Sequence, residues 1–391
     1  MKIINAKVFI DGKFHEGLEV RYDKDRILEI GENLKDEEVI DAKGNYLFAG
    51  IVDCHVHGGF QRSVTEITNE DKYGPFEEQV RYLCDKLAET GVTTFYPTVN
   101  PDTAPYAECG EITRRIRAIR DTIRGAYPLK FHYETAFVTM DRYVEISKDW
   151  MQNPTKEISD IMVDHDYSDV AIISVAPEME GAIDYIDYIV SKGVMPEIGY
   201  DKATAEQTIE AADHGLCQAT HLYNGYLPMH HRASTSSAAV LYDDRIKTQI
   251  TMDGVHVHPI WVKITLKTKG IENCYGITDL CSYAGMPDGW YTMSNGNKFQ
   301  IRDGFCYHEH GHLVAGANKM DDMMRRAHNI VGLSREEVGL LYCENPAKCL
   351  NLNDRGKIEV GRISDFVIMD EDYHVLRTII KGETYYENRE R

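Results

Sequence analysis

The sequence predicts an α/β fold: a (β/α)8 barrel of the TIM type, carrying a small β-sandwich that both chain termini build. Three observations point there. In the middle of the chain, eight short apolar runs alternate with longer stretches of helical periodicity. Both ends show period-two alternation broken by turn residues instead. Imidazoles and carboxylates recur at the C-terminal ends of the apolar runs, where barrels of this kind carry their chemistry.

The elements follow in order. Residues Ile3 to Ile10 form a short extended burst, Asp11-Gly12 turns the chain, and Leu18-Glu19-Val20 resumes the pattern. The tail repeats it through 356–361, 365–369 and 375–380. This assigns 1–49 and 350–391 to the sandwich and 50–349 to the barrel. Barrel strands are expected at 50–55, 93–97, 130–134, 170–175, 194–199, 218–221, 248–253 and 275–279. Between them, Phe76, Val80, Leu83 and Leu87 fall at helical spacing. Thr204-x-x-Gln207 and Ser334-x-x-Glu337 read as capping boxes that open helices.

Composition narrows the function. The 391 residues are 43% hydrophobic and 27% charged, which suits a folded globular chain and excludes a disordered or low-complexity one. A net charge of −20 gives no general affinity for nucleic acid or for an anionic membrane. An anionic substrate would need a local cluster of donors acting against that field. No apolar run approaches the 18 residues of a membrane span, and the N-terminus does not read as a signal peptide. Nine cysteines, an odd number without a C-x-x-C pair, suit reduced thiols and a cytoplasmic setting.

The strand ends supply the chemistry. The first expected strand ends in His55-Val56-His57, the third in Glu134, the sixth in His221 and the eighth in Asp279; His256 follows the seventh. Side chains two apart on a strand share a face, so H-x-H presents two imidazoles together. Imidazoles and carboxylates meeting at one mouth are the donor set of a divalent metal.

These residues carry a resemblance. Ala49-Gly50-Ile51-Val52-Asp53-Cys54-His55-Val56-His57-Gly58 resembles the first-strand motif of the amidohydrolase superfamily. Ala176-Pro177-Glu178, Thr220-His221-Leu222-Tyr223-Asn224, Met252-Asp253-Gly254-Val255-His256 and Thr278-Asp279 resemble one branch of it, the N-acetylglucosamine-6-phosphate deacetylases. Asn345-Pro346-Ala347 and the 356–365 stretch resemble that family's exit from barrel to β-domain. The resemblance implies a metal-dependent hydrolase that deacetylates an amino-sugar phosphate, N-acetylglucosamine 6-phosphate foremost, and works as a homodimer. It implies His55, His57, Glu134 and Asp279 as ligands of one divalent metal, zinc or iron. Glu134 and His221 become ligands of a second. Asp279 becomes the proton shuttle. Tyr223, Asn224, the Gly225 backbone and His256 align with groups that hold the sugar phosphate, and Arg232 with an arginine that reaches it across the dimer interface.

The pattern breaks in two places. Where the family reads Gly-His-Ser-x-Ala after strand five, this chain reads Gly199-Tyr200-Asp201-Lys202-Ala203, so a phenol stands in the position of a ligand histidine. Its ordinary pKa near 10 makes it a poor ligand at neutral pH. One metal position is therefore complete and the second is depleted, with Asp201 as a candidate substitute. The family's Glu-Gly-Pro-Phe reads Glu134-Thr135-Ala136-Phe137 here, and its sugar-contacting histidine is replaced in the Ile146-Ser147-Lys148 stretch. Two alternatives stay open: an amidohydrolase for another acylated amine or a cyclic amide, and a non-catalytic sugar-phosphate-binding relative. Two further clusters read as solvated turns rather than sites: His308-Glu309-His310-Gly311-His312 and Asp164-His165-Asp166. His132 reads either as a core histidine or as support for Glu134 on the same strand face.

Overall fold

Eight parallel strands form the barrel, each followed by a helix. The computed structural model describes residues 1–66, 70–101, 104–139, 152–292 and 298–389. The strands are β1 (Ile51–Val56), β2 (Val92–Val99), β3 (Phe131–Phe137), β4 (Val170–Val175), β5 (Met195–Ile198), β6 (Gln218–Ala219), β7 (Lys247–Ile250) and β8 (Cys274–Gly276). Each pairs in parallel with the next. The ring is completed where Val56 bridges Leu280, with His57 N donating to Leu280 O at 3.0 Å. All eight overlap the ranges the sequence gives, because a strand covered on both faces must be nearly continuous in apolar residues, but β3 runs past Glu134 to Phe137, and β6, β7 and β8 end before His221, Asp253 and Asp279.

The helices are α1 (Phe76–Glu89), α2 (Tyr106–Ile119), α3 (Lys156–Met162), α4 (Ala182–Ser191), α5 (Ala205–Asp213), α6 (Ser236–Tyr242), α7 (Pro259–Lys269) and α8 (Met320–Arg326). On α1, Phe76, Val80, Leu83 and Leu87 are all buried against the barrel, as their spacing predicts. Both capping boxes form: Thr204 with Gln207 opens α5, and Ser334 with Glu337 opens the Arg335–Gly339 helix.

The chain ends combine. One six-stranded sheet runs Glu383–Glu387, Val375–Ile380, Phe366–Met369, Tyr46–Ala49, Lys7–Ile10, Lys13–His15, so strands from both termini share it. A four-stranded sheet of N-terminal strands packs on it through Ile3, Val20, Ile27, Leu47, Phe366 and Ile368. Gly50 joins this layer to β1, and a Cβ there would overlap the side chains of Thr93 and Asp365, so only glycine lets the two layers approach this closely. Between β8 and α8 the chain inserts a three-stranded antiparallel sheet, Gly289–Thr292, Lys298–Arg302 and Phe305–His308. That insert corrects the expectation of a wholly solvated turn at 308–312. Residues 309–311 are exposed, but His308 is buried, its ring stacked on His312 at 4.8 Å, because the last strand of the insert turns it inward.

Candidate metal centre

The barrel mouth is built with local backbone strain. Non-glycine residues in or beyond the C-terminal halves of the strands have positive φ, among them Thr135 (54°), Tyr200 (53°), His221 (20°), Tyr223 (82°) and Asp279 (51°). Such conformations cost on the order of 1–3 kcal/mol each and persist where the surrounding fold holds them. At Thr135 the pairing of β3 with β4 also shifts register between Tyr133 and Phe137. Such irregularities re-aim side chains beside functional sites. Here the neighbouring Glu134 reaches three imidazoles.

His221 Nε2 lies 2.7 Å from Glu134 Oε1, His55 Nε2 lies 3.4 Å from the same oxygen, and His57 Nε2 lies 3.2 Å from Glu134 Oε2. Asp279 Oδ1 lies 3.3 Å from His55 Nε2 and 3.2 Å from His57 Nε2. His55, Glu134, His221 and Asp279 are buried, and only His57 keeps partial exposure. The fold therefore brings together all five residues that the strand ends nominate as ligands.

The electrostatics follow from this crowding. Burial alone would lower both H-x-H imidazoles, but Glu134 and Asp279 outweigh it and raise His55 to about 9 and His57 to about 10. Burial works to raise the two carboxylates, and the imidazoles hold both below their ordinary range. Among the described residues, Glu134 and Asp279 have no Lys or Arg partner.

This donor set fits a divalent cation. His55 Nε2 and His57 Nε2, two nitrogens of the same kind, face each other at 3.0 Å beside oxygens of Glu134 and Asp279. Two overlapping groups meet the spacing a metal requires: His55, His57 and Asp279, and His55, Glu134 and His221. Neither contains Asp201. Asp201 is buried, its Oδ1 accepts from Ala203 N at 3.0 Å, and burial raises its carboxyl to about 7. The Tyr200 ring stands edge-on to His221 with centroids 5.1 Å apart. A Cβ on Gly225, whose φ is 72°, would lie 2.6 Å from that ring.

Residues 46–385 match the amidohydrolase family. The chain belongs to this family. Two curated relatives are each 26% identical to it: an N-acetylglucosamine-6-phosphate deacetylase of Bacillus subtilis (90% of this chain, 88% of the relative) and an N-acetylgalactosamine-6-phosphate deacetylase of Escherichia coli O157:H7 (88% and 89%). Among solved structures, an N-acetylglucosamine-6-phosphate deacetylase from Pasteurella multocida superposes with a TM-score of 0.89 at 25% identity, covering 99% of both chains.

The substrate side of this amidohydrolase is less uniform. Asn224 lies beside His221, its Nδ2 donating to His221 O at 3.3 Å, and Gly225 follows under the Tyr200 ring. Tyr223 faces elsewhere: its hydroxyl bonds Thr265 Oγ1 at 2.6 Å and its ring packs on Trp261, both on α7. His256 has both ring nitrogens engaged, Nδ1 by Asp253 Oδ2 at 2.6 Å and Nε2 by Val314 O at 2.7 Å. A ligand would reach His256 only by displacing one of these. Arg232 is exposed on the segment between β6 and α6, next to the paired rings of His230 and His231. Ile146, Ser147 and Lys148 fall outside the described residues.

Sequence reasoning missed three residues that pack beside the candidate metal ligands: Glu197, Gln249 and Thr220. The available signal was a charged residue inside the otherwise apolar fifth strand, Met195-Pro196-Glu197-Ile198. His132, read as core or support, contacts Glu197 and packs its ring edge-on to His55 at 4.7 Å.

Proposed function

We propose that this amidohydrolase removes the acetyl group from an N-acetylated amino-sugar 6-phosphate, N-acetylglucosamine 6-phosphate first, giving acetate and the free amine. One observation carries the reading: three imidazoles and two carboxylates meet at a barrel mouth in a chain whose curated relatives of similar length bear the names of such deacetylases. The barrel, 50–349, carries the chemistry, and the terminal parts, 1–49 and 350–391, support it.

His55, His57, Glu134 and Asp279 would hold one divalent cation, zinc or iron, and His221 with Glu134 would remain for a weaker second position. When bound, such a cation draws charge from an amide carbonyl and lowers the pKa of water towards about 7. Asp279 accepts the proton of the attacking water and passes it to the leaving nitrogen, serving first as base and then as acid. Its contacts with both H-x-H imidazoles keep it ionised and ready for the first of these steps. Asn224 and the Gly225 backbone orient the sugar phosphate. His256, bound to Asp253 and raised to about 9 although burial opposes it, adds positive charge nearby. Arg232, exposed, completes the phosphate site in a homodimer. A cytoplasmic location agrees with nine free thiols. Among the described residues, no helix is long and apolar enough to cross a membrane.

The test is acetate release from the 6-phosphates of N-acetylglucosamine and N-acetylgalactosamine, with protein loaded in turn with zinc, iron, manganese and cobalt. Release from the glucosamine compound is expected. Silence with both sugars and every metal, in folded metal-bearing protein, rejects the reading in favour of another acylated amine.

Tyr200 limits the metal count. Wild-type protein is expected to retain one metal per chain after dialysis, and Tyr200→His to retain two, since the new imidazole would join Glu134 and His221. Elemental analysis of both proteins checks this; an unchanged count in the variant would show that Tyr200 does not stand in a ligand position.

A further inference from the structure

The layer of the barrel interior under the metal ligands is polar. Barrel interiors stack side chains in layers of four from alternate strands, usually bulky and branched. Here the odd strands contribute His55 from β1, His132 from β3, Glu197 from β5 and Gln249 from β7, all fully buried. Burying a carboxylate and an amide at this depth is costly unless every polar atom is satisfied.

The satisfaction is directional. Glu197 accepts throughout: Ser174 Oγ donates to its Oε1 at 2.9 Å, His132 Nε2 lies 2.9 Å from the same oxygen, and Gln249 Nε2 donates to its Oε2. Since a carboxylate cannot donate, the Gln249 amide has one permitted orientation, with its NH2 towards Glu197 and its carbonyl away. That carbonyl oxygen lies 3.1 Å from His55 Nδ1. A carbonyl only accepts, so His55 must carry a proton on Nδ1, which reserves Nε2, on the side of Glu134 and Asp279, for a metal. Thr220 Oγ1 also lies 3.3 Å from Nδ1, but a hydroxyl both donates and accepts and so selects neither tautomer. From the other side, His132 holds the same ring: its Nδ1 donates to Cys54 O at 3.1 Å and its ring packs at 83° to that of His55.

We propose that Glu197 and Gln249 are positioning residues that set the tautomer and orientation of His55, and through it the metal affinity of the site. This rests on the reading of His55 as a metal ligand. Partners of this kind on ligand histidines change metal affinity by about 10–100-fold when removed.

The chain of donors and acceptors dictates the test. His132 gives Nδ1 to Cys54 O, so in Glu197→Gln the new amide oxygen serves Ser174 and His132 where Nε2 still carries a proton, and its NH2 then faces Gln249. Gln249 must then turn its carbonyl to position 197 and its NH2 to His55, which favours the wrong tautomer. Adding Gln249→Glu restores the order, because the carboxylate now at position 249 accepts from the amide at position 197 on one oxygen and from His55 Nδ1 on the other. Cobalt(II) affinity is measured by chelator competition, with the visible cobalt spectrum and the melting temperature of metal-free protein recorded alongside. Glu197→Gln is expected to weaken cobalt binding ~10–100-fold with little change in metal-free melting, and the double variant to recover wild-type affinity. Gln249→Met, which removes the acceptor outright, should match the single variant. Wild-type affinity in Gln249→Met, or a double variant no better than a weakened Glu197→Gln, overturns the proposal. Wild-type protein that binds no cobalt would instead refute the metal reading beneath it.

Discussion

Asp279→Asn is expected to lower the rate of acetate release by about 10²- to 10⁴-fold, the range a positioned proton-transfer group supplies. Asparagine keeps the shape and one acceptor oxygen but cannot take a proton from water or return it to a leaving amine. An amide nitrogen leaves poorly without that proton, so the loss should appear in kcat rather than in KM. Asp279 also contacts both H-x-H imidazoles, so metal content must be measured on the same preparation. A large loss of rate with metal and sugar-phosphate binding retained identifies the proton role. Turnover near the wild-type rate would remove it.

Glu134→Gln is expected to act one step earlier, on the metal itself. Among the described residues, Glu134 is the one that touches His55, His57 and His221 together. Neutralising it removes the charge that holds a cation among three imidazoles. It also leaves buried rings that the carboxylate had kept protonated in metal-free protein. Breaking a buried charge pair by removing one partner costs about 3–5 kcal/mol. The variant should therefore lose both stoichiometric metal and stability, read by elemental analysis and by thermal melting with and without added zinc. Full metal content with unchanged melting would mean that Glu134 is not the centre of the site.

These two residues were legible in the sequence because strand chemistry is local. An apolar run that meets an acidic or imidazole side chain marks a strand and the approach to its C-terminal end, and Glu134, inside β3, and Asp279, just beyond β8, lie at such points. H-x-H is legible for the same reason, since the two-residue period of a strand fixes the common face of His55 and His57. Tyr200 was legible only against the pattern it breaks. Tyr223 shows the opposite case: it sits inside the most specific stretch of the resemblance, yet its backbone at φ 82° turns the phenol to Thr265 on α7. The folded backbone and the contacts with Thr265 and Trp261 set that orientation, and neighbouring residue types do not reveal it.

The strand–helix alternation, the joining of both termini into one β layer and the donor set at the barrel mouth are all written residue by residue, in hydrophobic period and strand-end chemistry. Which donors face one another, and what holds them, is settled only when the barrel closes. The Glu197–Gln249–His55 chain joins residues 52 and 194 positions apart, and His256 is locked by Val314, 58 positions away. Contacts at such separations have no local signature. The direction of each hydrogen bond in them follows from the donors and acceptors of partners that no neighbouring pattern brings together.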